Sequence, residues 1–244
     1  MSTMRHILNV QVAVRSPFVF QGLAAAALGL DASALRDERG RPVVPADHWR
    51  GLCKAALCAV GRATQWKIVA PEHIATLFGE ASPETDDPRA AGESNRPQRG
   101  NLLFCDLAAE TMADPALAVE MLDTLAPEQE KPLERCGESA TRVKIDRATG
   151  AAEEGMLQSI ELVAPPGTVV LFRGEVVAYT GAGRTLDPAA LLEKAVRLLP
   201  AMGALKTAGY GEVVPNLCYV RERKKALMAA PAASAAANEP ALLE

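Results

Sequence analysis

Residues 5–14 read Arg-His-Ile-Leu-Asn-Val-Gln-Val-Ala-Val, an alternation of apolar and polar side chains rich in β-branched residues, and Pro17 closes it. A two-residue period of this kind marks a strand with one face buried. Working outward, Phe18–Val44 holds no sustained period and reads as a long loop with a tight turn at Arg39-Gly40. Asp47 is the predicted N-cap of a helix over about 48–62, with Trp49, Leu52, Leu57 and Val60 among its apolar positions. Residues 70–100 contain PEHIATLFGE and then a polar stretch rich in Pro and Gly that reads as mobile. Asn101–Leu107 is a predicted buried strand, and a short helix is expected at 115–124. The charged, turn-rich 131–160 reads as an extended hairpin, after which alternation resumes to Tyr179 around Pro165-Pro166-Gly167. An amphipathic helix at 188–199 and a last strand at about 212–220 complete the series, and the low-complexity 229–244 is expected to be disordered. Without the insertions, the order is strand, helix, strand, strand, helix, strand. This is the α+β, ferredoxin-like (RRM-like) βαββαβ plan, which many unrelated functions share.

Composition bounds the function. With 244 residues and 49% hydrophobic content the chain can bury one sizeable core. No apolar run approaches the length of about 20 residues that spans a bilayer, and no signal-peptide pattern opens the chain, so no membrane partner and a cytoplasmic location are expected. The five cysteines are scattered without a C-x-x-C pair, which supports neither a disulfide framework nor a zinc site. The net charge of −4 is unevenly spread: residues 80–130 hold 12 of the 30 acids against three arginines, so that segment is −9 and the remainder +5. A basic surface is therefore expected outside the acidic block.

Between the second long helix and the last strand lies Gly-Ala-Leu-Lys-Thr-Ala-Gly-Tyr-Gly (203–211). Glycines permit positive φ and close approach, and consecutive amides in such a turn can face an anion. Two readings stay open: a phosphate site, or a tight connection that needs glycine for geometry alone.

Four stretches in order (29–57, LFGE with GNLLFCDL, 141–170, and the glycine loop) resemble RAMP proteins, the repeat-associated subunits of CRISPR interference complexes. The chain is most similar to the repeated backbone subunit of type III effector complexes, over roughly residues 5–220. The resemblance implies a single domain over 1–228, with a ferredoxin-like palm, an insertion at about 63–130 and a β-hairpin thumb at about 131–162. It also implies that copies stack along a guide RNA (crRNA) with other effector subunits, each thumb displacing one nucleotide of the guide–target duplex.

The same resemblance assigns roles to residues. Asp31 of Gly29-Leu30-Asp31, followed by Arg36-Asp37, matches the position at which the family cuts complementary target RNA. It would do so as a base or as a ligand of Mg²⁺, the expected cofactor, leaving a 2′,3′-cyclic phosphate and a 5′-hydroxyl. Arg50 and Lys54 match basic positions after the loop-to-helix junction and share a helix face. Lys206, Gly209, Tyr210 and Gly211 would lie against the guide backbone, Gly209 and Gly211 offering amides, and Arg142 and Lys144 belong to the thumb. Read without the family, Asp31 is a loop residue in an Asx-turn, the basic residues are solvated surface, and Asp37 is structural. His48 reads as a surface position at the helix start, beside the RNA-facing junction.

The junction Ala46-Asp47-His48-Trp49-Arg50-Gly51 departs from the family's Gly-Ser-Ser-Leu-Lys-Gly, and Gly22–Leu28 is Ala-rich where the family has glycine. A non-cleaving scaffold and a terminal capping subunit, of type III or type IV-like complexes, are the alternatives. A small-molecule enzyme would need a compact site that these residues do not assemble, and a guide-processing ribonuclease using His6 ranks below these.

Overall fold

The computed structural model describes residues 3–21, 30–80, 98–113, 125–133, 136–181 and 187–223. The predicted first strand is β1, Thr3–Arg15, and it pairs antiparallel along its whole length with β10, Val169–Gly181. On its other side β1 meets β11, Tyr219–Glu222. β10 in turn pairs with β5, Leu102–Phe104, and β6, Leu107–Ala113. Beyond β6 lie β2, Val43–Val44, and β7, Glu130–Pro132. The sheet runs β11-β1-β10-β6-β2, all antiparallel.

Register decides which side chains share a face. Leu8, Val10 and Val12 stand beside Val176, Gly174 and Phe172, and all but the glycine are buried in the main core with residues of helices α1, Ala46–Ala63, and α3, Pro188–Arg197. Among the alternate residues, Asn9 and Gln11 stand opposite Glu175 and Arg173 as a short polar row. Gln11, only 4% exposed, donates to the Leu217 carbonyl and accepts from Arg173 Nε, both at 2.8 Å. Arg173 also grips both oxygens of Glu130 at 2.6 and 2.7 Å, which satisfies a polar cluster that would be costly to bury unpaired.

Several expectations are corrected. Helix α1 begins earlier than expected: Pro45, not Asp47, holds the N-cap position, and Asp47 lies inside the first turn. The Ala46 amide donates instead to Asp106 Oδ1 at 2.7 Å. Asp106 can reach it because the predicted strand 101–107 is two strands, broken at Cys105-Asp106. Residues 71–78, where the sequence reading places no element, form α2, Pro71–Phe78, which starts with proline at its first position and buries Ile74, Leu77 and Phe78. The last strand is later and shorter than predicted. Val213 makes only an isolated bridge to Val14, and Pro215–Leu217 turn as a 3-10 helix before β11, since proline cannot donate to a ladder.

Two two-stranded pairs stand apart from the main sheet. β3, Gly79–Glu80, pairs with β4, Gln98–Arg99. β8, Ser139–Ile145, and β9, Ala152–Glu161, form the expected hairpin. The expected helix at 115–124 lies outside the described residues, as do much of the acidic 80–130 block, the Ala-rich Gly22–Leu28 stretch and the tail at 229–244. Cys53 and Cys218 are buried and their thiols are pushed up to about 12 and about 11 by burial, as inert core residues. No helix among the described residues is long and apolar enough to cross a membrane.

Candidate functional site

The glycine loop is built against the segment that follows β1. Gly203 has φ +91°, and a side chain there would strike the Val19 carbonyl. Gly211, at φ +73°, would drive a Cβ into the Met202 carbonyl oxygen. Both positions therefore require glycine for packing, which is the plain geometric reading. Gly209 differs: its φ of +81° favours glycine, yet a Cβ there would meet nothing within 4 Å.

Most amides of the loop are engaged internally. Gly203 N–H donates to His48 Nε2 at 3.0 Å and Ala204 N–H to the Val19 carbonyl at 2.8 Å. Gly209 N–H donates to Lys206 and Gly211 N–H to Pro17, at 3.1 and 2.8 Å, and Tyr210 N–H reaches Leu205 at 3.3 Å. The amides of Leu205, Lys206 and Thr207, which open the 3-10 turn Lys206–Ala208, have no acceptor among the described residues. They lie beside the exposed Lys206 side chain. Any anion held by backbone amides here is thus held by 205–207, not by Gly209 and Gly211.

His48 ties this loop to the start of α1, a role its position in the sequence does not reveal. Half-buried, it packs edge-on to Phe20 with ring centroids 5.9 Å apart. Because Nε2 accepts from Gly203, that nitrogen carries no proton. Burial, and then the charge of Lys206, holds the ring below its usual pKa range.

One and two turns from the first residue of α1, Arg50 donates to the Phe78 carbonyl and Lys54 Nζ to the Gly79 carbonyl at 2.7 Å. These carbonyls end α2, where cations are favoured by the helix dipole and by unsatisfied acceptors. Both side chains are thereby fixed in place. They line an open depression of about 520 Å³ with Gly51, Gly79, Glu80, Gln98 and Arg99.

Asp31 sits at the root of the β8–β9 hairpin. Its amide donates to the Ser159 carbonyl at 2.8 Å, and its Oδ2 accepts from the Ser159 amide at 2.6 Å. Ala32 bridges Ile160 in parallel, and Glu161 N–H donates to the Ala32 carbonyl at 2.9 Å. The Glu161 carboxylate then accepts from Ala34 N–H at 2.8 Å and pairs with Arg36. Asp31 is thus a cross-chain brace with an exposed carboxylate, not an Asx-turn residue. Asp37 is structural: its carboxylate accepts from the amides of Arg39 and Arg41 and pairs with Arg41 Nε at 2.8 Å. Despite some desolvation, these bonds hold its pKa below the usual carboxylate value.

On the hairpin, Arg142 stands opposite Gln158, next to the Ser159 that binds Asp31. The expected alternation of Arg142 and Lys144 is interrupted, because the register shifts between Val143 and Ile145 and leaves Lys144 in the irregularity, paired with Glu153 at 2.7 Å. Val143 and Leu157, directly opposite each other, are 40% and 64% exposed.

No group of three or more His, Cys, Asp or Glu that could hold a metal exists among the described residues. Asp31 offers Mg²⁺ one carboxylate with an oxygen not bound to Ser159, a donor set that fits an ion held mostly by phosphate and water.

The sequence matches no protein-family model and no curated protein. Solved structures do match. A chain of the Type III-B Cmr-beta bound to cognate target RNA aligns with TM-score 0.51 and 13% identity, over 88% of this chain and 96% of that one. A chain of the Type III-B Cmr-beta in its apo state aligns with TM-score 0.52 and 12% identity, over 90% and 98%. A chain of a Type IV-B CRISPR complex aligns with TM-score 0.44 and 17% identity, over 92% and 93%. At such identities the likeness is one of fold, and it spans nearly the whole length of the Cmr-beta chains: the protein has the fold of a Type III-B Cmr-beta subunit.

Proposed function

We propose that the chain is a guide-RNA-binding backbone subunit of a CRISPR effector complex that cleaves complementary target RNA through Asp31. The strand order of the sheet, last-first-third-second with helices α1 and α3 in the connections, supports a ferredoxin-like palm. The β8–β9 hairpin is its thumb. Lys206 with the amides of 205–207, and Arg50 with Lys54, grip the RNA backbone without reading its sequence.

The observation that carries the cleavage reading is the Asp31–Ser159 brace. It holds an exposed carboxylate at the root of the thumb, where a nucleotide displaced by the thumb presents its 2′-hydroxyl. The 2′-oxygen attacks the adjacent phosphorus, and the bond to the 5′-oxygen of the next nucleotide breaks, that oxygen taking a proton from water to leave as the 5′-hydroxyl. Asp31 accepts the hydroxyl proton, and alignment supplies much of the acceleration. Mg²⁺, when bound, would stabilise charge on the phosphate.

A second reading, a non-cleaving scaffold, is favoured by one detail of the same brace: Asp31 Oδ2 is already engaged by the Ser159 amide, which leaves a single carboxylate oxygen for chemistry. The test is cleavage of a labelled guide-complementary RNA by the assembled complex, with Mg²⁺ and with EDTA. Asp31→Asn is the informative variant, because its amide oxygen still accepts from Ser159 while the charge is lost. Regular cutting by wild type and none by Asp31→Asn, with target binding retained, supports the nuclease. Binding without cutting by both supports the scaffold, and equal cutting by both removes Asp31 from the chemistry.

A further inference from the structure

Strands β11, β1 and β10 lie side by side, and at one end of their core-facing side they carry Glu222, His6 and Thr180 in a row. Leu8, Val10, Val176, Ala178 and Val220 occupy the same face and are buried. His6 Nδ1 is 2.6 Å from Glu222 Oε1, and Nε2 is 2.9 Å from Thr180 Oγ1. The sheet joins these pairs across 216 and 174 positions of sequence. A carboxylate can only accept, so in the neutral ring Nδ1 carries the proton and donates to Glu222. Nε2 is then left to accept, and the Thr180 hydroxyl donates to it. A cross-strand ion pair would need only His6 and Glu222. The hydroxyl on the far nitrogen completes a different set: a nucleophile, a base within hydrogen-bond reach, and an acid that orients the base.

Of the three histidines, His6 alone has both ring nitrogens engaged among the described residues, which fixes the plane and direction of its ring. Thr180 also lines a narrow pocket of about 10 Å³, with Leu77, Asn101, Leu102 and Pro188 among its walls. A space of that size admits about one water molecule, or a group as small as a methyl. Asn101 spends its backbone on neighbours: its N–H donates to the Thr76 carbonyl and its carbonyl accepts from Tyr179 N–H, both at 2.9 Å. Its side-chain amide has no hydrogen-bond partner among the described residues. A side-chain amide of this kind is a donor suited to a developing oxyanion. Nucleophile, base, orienting acid, small pocket and amide donor thus meet at one rim of the sheet.

We propose that Thr180, His6 and Glu222 form a second site, which takes a small acyl group from an activated ester onto the Thr180 hydroxyl and releases it to water. The activity is separate from RNA cleavage and does not rest on it. Thr180 Oγ1 bonds to the carbonyl carbon while its proton passes to His6 Nε2, and Asn101 donates to the carbonyl oxygen as charge gathers there. The bond from that carbon to the ester oxygen breaks, and the departing oxygen takes the proton from His6. Water then attacks acyl-Thr180 with His6 again as base, which frees the carboxylic acid and restores the hydroxyl. Glu222 is the positioning residue: it holds the ring in the productive tautomer and balances the positive charge that His6 gains.

The experiment uses the full chain and p-nitrophenyl acetate. Nitrophenolate release is followed by absorbance, acid quenching traps the acylated protein, and peptide mass mapping locates the acetyl group. Wild type is expected to carry it on Thr180. Thr180→Val, which keeps a β-branched side chain in the strand, is expected to abolish that modification, and Thr180→Ser to retain it. His6→Gln is expected to slow the release that depends on Thr180 by about a hundredfold or more. Glu222→Ala is expected to slow it by about tenfold or more, with Glu222→Asp recovering part of the rate. The butyrate ester should react about tenfold or more slowly than the acetate, because the pocket admits only a methyl-sized group. Release by Thr180→Val at the wild-type rate, or acetyl groups only on other residues, would overturn the proposal. So would a His6→Gln protein that acetylates Thr180 as fast as wild type, and that variant decides the matter alone should Thr180→Val not fold. None of these results bears on Asp31 or on RNA binding.

Discussion

Two alanine substitutions in the glycine loop separate packing from conformation. Gly209 and Gly211 both have positive φ, at +81° and +73°, so alanine at either incurs the left-handed penalty of about 1–2 kcal/mol. Gly209→Ala meets no further obstacle, because the space around it is open. At Gly211 the new methyl would overlap the Met202 carbonyl oxygen, and the two segments must part. Parting them breaks the bonds from Met202 N–H to the Gly211 carbonyl and from Gly211 N–H to the Pro17 carbonyl, each 2.8 Å long. At about 1 kcal/mol for each bond, Gly211→Ala should cost about 3–4 kcal/mol in all. The gap of about 2 kcal/mol between the variants corresponds to roughly 1 M in urea midpoint, for a slope of about 2 kcal/mol per molar. Urea titration followed by tryptophan fluorescence, with Trp49 fully buried, measures it directly. Equal midpoints for the two variants would refute the claim that Gly211 is fixed by close backbone packing.

Two further outcomes follow from contacts around α1. His48 is held below its usual pKa, so the unfolded chain takes up a proton at higher pH than the folded one; stability is full above about pH 6.5 and declines as pH falls through the folded-state value. His48→Gln, which does not titrate, should flatten the fall in melting temperature between about pH 7.5 and 5, and an unchanged pH profile would show that His48 is not its source. Asp106→Ala removes the acceptor for the Ala46 amide and should cost about 1 kcal/mol, or about 2–4 °C in melting temperature, with Asp106→Asn recovering most of it.

What can be read from the sequence is what local period determines. β1 is half-buried and alternates, and α3 carries an amphipathic pattern behind the N-cap Asp187, so both emerge where the pattern predicts them. The hairpin at 139–161 is legible as paired charged segments around a turn. Helix α2 is not, because eight residues supply barely two turns of pattern and they run straight into a polar insertion. The break at Cys105-Asp106 serves the start of a helix sixty residues earlier in the chain, and no local signal announces it. Pro215 does carry a signal, since a proline ends a central strand, and it explains the displaced last strand. For the site, sequence supplies residue types and not partners. Asp31 and Ser159 are 128 positions apart, and the carbonyls that orient Arg50 and Lys54 belong to the end of a helix the pattern does not show.

The brace between Asp31 and Ser159 also has a mechanical meaning. From Ser159 the hairpin runs out to its turn at 146–150, about 30 Å at 3.3 Å per residue, while the bonds at the root span only a few ångströms. The hairpin is therefore a lever pivoted beside the carboxylate, with a ratio of about ten to one. A sideways displacement of about 3 Å at the tip reaches Asp31 as about 0.3 Å, small enough for hydrogen bonds near 2.7 Å to survive. Long reach at one end and sub-ångström steadiness at the other come from the same two strands.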